Sequence, residues 1–328
     1  MKNILFLSCF VLAAVSSQAQ CPNGDLEMGT LTPPWQGYLN TAPTTGVTTP
    51  TAYTAVPGTA SARHVITTSG SFDPLIPTLP QVASGSYAVK LGNISGGSES
   101  EILSYTFTLT PDFSFNYATV AESIHPPAED AYFAYWISLT DVLPVSTMSG
   151  NLLAMEEIRS DHPGLTPYPG TLFKYKPWAK ECVMGKFPSL APYVGRSVTI
   201  YFITADCIFN GHGGYAYIDD LCKSTALSFT APTAVGYYPP AFNPITIDGT
   251  ASGILSSYYY EVVECDASGI PIPGGVSENT PTYYGMPVAF DLRAVLSSGF
   301  FKPTTYYKII LHDDCAMGLP PFKIVYLN

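Results

Sequence analysis

Charge is scarce in this chain. Asp, Glu, Lys and Arg make up only 12% of the residues, and the balance is negative, a formal net charge of −11. Nucleic acid is held by neutralising phosphates, so an acidic chain poor in lysine and arginine excludes that class of partner. The short signatures of catalysis are also missing: there is no Gly-x-Ser-x-Gly, no His-Glu-x-x-His and no P-loop. No Cys-x-x-Cys pair occurs, which argues against a zinc ribbon or a thioredoxin-type redox motif. Segments with helical period are few. Beyond the N-terminus, no apolar run is long enough to cross a bilayer as a helix.

What is present begins with an export signal. Lys2, the apolar stretch Ile4 to Val15 and the small or polar run Ser16 to Ala19 have the layout of a cleaved secretory signal peptide, residues 1–19. A lipid on Cys21 is the alternative, but Gln18-Ala-Gln20 lacks the usual Leu-small-small lead-in. Cleavage removes Cys9 and leaves Cys21, Cys182, Cys207, Cys222, Cys265 and Cys315. An even set of cysteines in an exported protein implies disulfides, with many pairings open.

Strand signals follow. Ser86–Leu91 alternates, as does Glu101–Leu109, where Ile102 is out of phase with Tyr105, Phe107 and Leu109. Phe113–Val120, Leu172–Tyr175 and Ser197–Thr204 read as strands. Ala131–Leu139 is nearly all apolar, which suits a strand buried on both faces. Pro and Gly pairs separate these runs. Residues 40–61, rich in Thr, Pro and Ala, read as a long loop, and Asn93-Ile-Ser95 fits a glycosylation sequon. Lys223–Asn243 resembles a linker. After it, Ser256–Cys265, Thr304–His312 and Phe322–Leu327 read as strands, and Asp291–Leu296 as a short helix. The length favours two domains, 20–224 and 225–328.

Several stretches carry a family resemblance. They are Cys21-Pro-Asn-Gly-Asp-Leu-Glu-Met-Gly29 with Trp35, Gly85-Ser-Tyr-Ala-Val-Lys-Leu-Gly-Asn93, and Gly211-His-Gly-Gly-Tyr-Ala-Tyr-Ile-Asp219. Ala62–Ile66, His125-Pro-Pro127 and Tyr132-Phe133 add to them. This part resembles the N-terminal jelly-roll region of secreted surface proteins of Bacteroidota, of the gliding-motility-associated or type IX-secreted kind. That region is similar to carbohydrate-binding and MAM-type jelly rolls. Tyr259–Gly269, Phe290-Asp-Leu292 and Thr305–Ile309 resemble the immunoglobulin-like domain found beside it. Such proteins usually continue into a C-terminal sorting domain, whereas this sequence stops at Asn328. Delivery and anchoring by that route are therefore not implied.

The resemblance implies a fold and a set of sites. The fold is all-β: a jelly-roll (galactose-binding-like) β-sandwich followed by a smaller immunoglobulin-like sandwich. Its first and last strands hold a structural Ca²⁺, here between Asp25 and Glu27 on one face of an opening strand and Asp219 and Asp220 at the end of the last. The disulfides it implies are Cys21–Cys222, Cys182–Cys207 and Cys265–Cys315. Glycan stacking would fall to Trp35, Tyr38, Tyr53 and Tyr168, with Trp136 in the core and Trp178 at a strand edge. His162 and His212 read as loop histidines. Glu156-Glu157 reads as a solvated pair, because adjacent strand residues point apart, against glycosidase chemistry. The expected function is secreted, non-enzymatic binding or adhesion at the outer cell surface, with an extracellular glycan or a surface protein as partner. The alternative is a self-assembling subunit of an extracellular filament or surface layer, exchanging its terminal strand near Ile324.

Overall fold

The computed structural model describes residues 21–40, 54–56, 63–97, 99–139, 152–209, 211–223, 227–231, 234–235, 246–251, 255–285, 290–291, 302, 304–313, 315 and 322–327. The leader at 1–19, Tyr53 and residues 292–296 lie outside the described residues, as does most of 40–61.

The described chain is almost all strand. Its helix is limited to the turn Val183–Lys186 and the 3-10 turn Pro188–Tyr193. Twelve described strands precede Cys222. They are β1 (Trp35–Asn40), β2 (Thr54–Val56), β3 (His64–Thr68), β4 (Tyr87–Asn93), β5 (Ser100–Thr108), β6 (Ser114–Glu122), β7 (Tyr132–Leu139), β8 (Leu152–Ile158), β9 (Thr166–Pro167), β10 (Phe173–Cys182), β11 (Ser197–Ala205) and β12 (Gly214–Asp219). They form two six-stranded antiparallel sheets, ordered β2-β1-β5-β11-β7-β8 and β3-β4-β12-β6-β10-β9. The chain crosses repeatedly from one sheet to the other, the path of a jelly-roll sandwich.

Alternation explains why the sheets face each other. On β5, Leu103, Tyr105 and Phe107 point inward, while Ile102 points out, as its phase in the sequence required. Phe115 on β6 meets Tyr135 and Phe202 of the opposite sheet edge-on, at centroid distances of 5.0 and 4.9 Å. Each such pair adds about 0.5–1.5 kcal/mol beyond burial. β7 is buried on both faces, as its composition implied: Trp136 stacks on Tyr201 at 5.1 Å on the outer side. The outer face of the second sheet is covered by Ile76, Leu79 and Val82. Asp73 ties that cover down by accepting the Tyr215 and Tyr217 hydroxyls at 2.7 and 2.8 Å.

The strands after Cys222 share no sheet with the first twelve. They are β13 (Leu227–Thr230), β14 (Ala234–Val235), β15 (Thr246–Ala251), β16 (Leu255–Cys265), β17 (Ser277–Asn279), β18 (Tyr283–Gly285), β19 (Phe290–Asp291), β20 (Thr305–Asp313) and β21 (Phe322–Leu327). One sheet runs β13-β15-β19. The other runs β14-β21-β20-β16-β17, with β18 also on β16. The expected linker 223–243 thus contains β13 and β14. β14 pairs in parallel with the last two residues of β21, Tyr326 and Leu327, and not with Ile324.

Cys21 is bonded to Cys222, with Cα atoms 5.9 Å apart, closing a separation of 201 residues. In the chain-entropy account such a closure contributes about 5 kcal/mol. The two other expected bridges are corrected. Cys182 bonds Cys315, with Cα atoms 5.2 Å apart, and Cys207 and Cys265 are buried free thiols. The reason is a phase change in β10. Lys174 and Lys176 share the inner phase, a bulge at Pro177-Trp178 resets the pairing, and Cys182 emerges opposite Ser114 on the outer face. That face meets β16 and β18 of the second unit. Cys207 belongs to the other sheet and to the opposite end of the sandwich, out of reach of Cys182.

Candidate functional site

The residues expected to hold calcium fall on one corner of the sandwich but do not converge. Asp25 and Glu27 stand on turns rather than on a strand, because Leu26 between them is fully buried and takes φ +60°. The Glu27 carboxylate accepts the Ser86 N–H at 3.0 Å, an approach open because Gly85 has no Cβ. Asp219 is fully buried and accepts the backbone N–H groups of Ala83, Ser84 and Asp220. Burial and the adjacent Asp220 carboxylate push Asp219 well above the usual carboxylate range, against those donors. Asp220 accepts Lys223 Nζ at 2.7 Å and Asn116 Nδ2 at 2.7 Å, with the Ser84 hydroxyl 2.8 Å from both its oxygens. Lys223 therefore supplies the positive charge that a cation would bring. No three carboxylates among the described residues gather their oxygens within 4.8 Å, and Asp25, Asp219 and Asp220 all act on the Lys223 ammonium.

The expected aromatic platform is also rearranged. Trp35 is a core residue, 1% exposed. Its indole N–H donates to Asn23 O at 2.8 Å and its ring lies edge-on to Tyr105. It offers no surface for a sugar, because it pairs with Tyr105 of β5 on the inward face of the sheet, inside the core. Tyr38 is half-buried beside the Trp136–Tyr201 stack. Tyr168 is half-buried against Tyr175 on the outer face of the second sheet. Trp178 is buried, donating to Pro80 O.

The unforeseen feature is the inner row at the edge where β8 faces β10. Register places Glu156 between Ala154 and Ile158 on the inward side of β8, and Lys174, Lys176 and Glu181 on the inward side of β10. These charged groups cap the core. Lys186 Nζ bridges Glu156 at 2.9 Å and Glu181 at 3.3 Å, and His162 Nε2 lies 3.5 Å from Glu156. Lys176 Nζ donates to the Tyr117 hydroxyl, and Lys174 Nζ donates to Ser160 O at 2.8 Å. Burial lowers both Lys176 and His162. Four of the chain's 14 basic residues, Lys174, Lys176, Lys180 and Lys186, fall in this short stretch of an acidic chain. Glu156 is thus not solvated as expected: it is half-buried in an ion-pair network, while Glu157 points to the other face and pairs with Arg159. The inward phase of Glu156 was missed in the sequence, and its partners come from β10 and the turn after it.

No protein-family model matches the chain, and no curated protein is similar to it in sequence. Among solved structures, similarity is found to the carbohydrate-binding module TmCBM61 in complex with β-1,4-galactotriose, at 14% identity and TM-score 0.31, covering 62% of this chain and 96% of that one. The adhesin domain of Epf from Streptococcus pyogenes is similar at 9% identity and TM-score 0.22, covering 90% and 92%. A β-1,2-glucanase from Parabacteroides distasonis is similar at 9% identity and TM-score 0.24, covering 88% of this chain and 39% of that one. Likeness this distant carries nothing about ligand or reaction.

Proposed function

We propose that the protein is an extracellular, non-enzymatic binding protein whose sandwich takes a glycan along the β8–β10 edge. The observation behind this reading is the row His162, Glu156, Lys186, Glu181 and Lys176, which runs from buried Glu181 to exposed Lys186. Alternating carboxylate acceptors and ammonium donors, held by core strands, match the paired donor and acceptor character of neighbouring sugar hydroxyls. The aromatic bodies of Tyr117 and Tyr135 sit beneath the row, at 4.4 and 6.0 Å from the Lys176 and Lys186 ammonium groups. The same carboxylates share one lysine, an arrangement suited to holding polar groups in place rather than to separate acid and nucleophile roles.

An extracellular location is compatible with two disulfides and with the lack of any described helix long and apolar enough to cross a membrane. A place at the outer surface, as in the Bacteroidota proteins the sequence resembles, belongs to the same reading. A glycan array with purified protein tests it. Binding is expected, weakened about tenfold or more in Lys176→Ala and in Glu156→Gln, since a lost hydrogen bond to a charged group costs about 1.5–3 kcal/mol. No reducing sugar is expected to be released. Equal binding by both variants, or none by the parent, removes the proposal. The filament alternative has β21 partly covered, since β14 already pairs with its last two residues. Concentration-dependent polymers in sedimentation velocity would restore it.

A further inference from the structure

Two loops at one end of the sandwich bring together three side chains with no part in the β8–β10 edge. The loop from β6 to β7 carries His125. The loop from β11 to β12 carries Cys207 and His212. His125 Nε2 lies 3.1 Å from His212 Nδ1, and Cys207 Sγ lies 3.5 Å from the same Nδ1. All three potential ligand atoms lie within 4.8 Å of one another. The grouping is held by backbone. Cys207 N–H donates to His212 O at 2.9 Å, which closes the second loop, and Ile208 N–H donates to Glu129 O at 3.3 Å, which ties it to the first. Asp130 Oδ1 accepts the N–H of His125 at 2.7 Å and fixes the first loop. Gly213 passes so close to Asn93 O that a Cβ there would stand 2.6 Å from it. Glu122 Oε2 accepts the Gly213 N–H.

We propose that His125, Cys207 and His212 form a binding site for a borderline-soft transition metal ion, Zn²⁺ foremost. Two imidazole nitrogens and one thiolate on a tetrahedral ion, at the usual bond lengths, stand about 3.4 Å (N to N) and about 3.6 Å (S to N) apart. The distances here are close to both before any ion arrives. The contacts among the three groups are those that shared protons would make, and a metal ion replaces those protons. The thiol is buried and unbridged, although four other cysteines of the described chain are paired in disulfides. Sulfur with imidazole selects zinc or copper over calcium and magnesium. Three protein ligands leave a fourth position for water or an outside donor. Phe209, 57% exposed, packs on the His125 ring at 4.8 Å and screens one side.

The test uses purified protein, stripped with chelator and desalted. It is titrated with Zn²⁺ by calorimetry and with Co²⁺ by absorption. One Zn²⁺ per chain is expected, together with a thiolate-to-cobalt charge-transfer band in the near ultraviolet. Cys207→Ser should abolish the band and Cys265→Ser should keep it. His125→Gln and His212→Gln should each weaken Zn²⁺ binding by about tenfold or more. A parent protein with no band, or a band lost with Cys265→Ser and not with Cys207→Ser, overturns the proposal. If Cys207→Ser does not fold, the half-exposed histidines decide: unchanged Zn²⁺ affinity in both variants overturns it equally.

Discussion

β6 and β12 run side by side, and the two ends of this pair solve different problems. At one end Asn116 opposes Asp219, beside the Asp220–Lys223 corner. At the other Ala121 opposes Gly214, beside His125, Cys207 and His212. The first end concentrates carboxylates and answers them from within the fold, with a lysine, a serine, an asparagine and backbone N–H groups. At the second end two imidazoles and a thiol contact chiefly one another, while the Glu99, Glu101 and Asp206 carboxylates close by are answered by Arg63, the Thr204 hydroxyl and the Glu99 N–H. A set of buried ligand-type atoms whose demands are already met by protein donors is a structural fastening. A set that can only share protons among itself has room for an outside cation. The acidic end is conspicuous in a sequence and the other is not, which is why the more obvious metal candidate is the less suited.

The largest expected effect breaks the fastening. Asp220→Ala leaves the Asn116 amide buried and Lys223 half-buried without their common acceptor. Stability should fall by about 2–4 kcal/mol, near the lower limit for breaking a buried pair because Lys223 is partly solvated. The midpoint of chemical denaturation measures it. Asp220→Asn, which keeps the shape and loses the charge, should cost less. Equal stability of Asp220→Ala and the parent would mean that this corner is not the clasp described.

A smaller effect belongs to the opposite end, where Glu101 lies buried. Burial pushes its carboxyl up to about 8. The Thr204 hydroxyl and the Arg63 guanidinium oppose the shift, and the Asp206 and Glu99 carboxylates reinforce it. A folded state that holds its proton more tightly than the unfolded chain gains stability from it. That gain is complete below the ordinary glutamate value and is lost as pH rises through about 8. Stability should therefore decline between pH 5 and pH 9, by on the order of 1–3 kcal/mol from this group. Glu101→Gln should flatten the profile. A parent protein more stable at pH 9 than at pH 5, and no flatter in the variant, would contradict the burial argument.

Legibility in the sequence followed the same divide between local and convergent features. The inward phase of Tyr105 and Phe107, the outward phase of Ile102 and the double burial of β7 were readable, because strand alternation is a local property. Trp35 was not readable as core: a tryptophan after two prolines gives no sign that it points inward opposite Tyr105 of β5. The Cys182–Cys315 bond was hidden because it depends on a one-residue phase change at Pro177-Trp178. The histidine–cysteine grouping was hidden because His125 and His212 are 87 residues apart and meet only through two loops. Glu156 was misjudged for a related reason, since Lys186 and Glu181 arrive from another sheet.

The smallest expected effect is the sharpest comparison of the two ends. Calcium at Asp25, Glu27, Asp219 and Asp220 would have to displace Lys223 from Asp220 and pull Glu27 from Ser86. It would have to repay both losses from carboxylates that are already hydrogen-bonded. Adding Ca²⁺, or a calcium-selective chelator, should therefore leave the melting temperature within error. Ligand binding to the native state raises stability in proportion to RT ln(1 + [L]/Kd), so millimolar Ca²⁺ without effect places any Kd above the millimolar range. Lys223→Met reverses the logic. With the resident ammonium gone, Asp219 and Asp220 face each other uncompensated, and the variant should become calcium-responsive where the parent is not. A parent that already responds to calcium, with a variant that responds no more, would show that the lysine does not hold the place assigned to it.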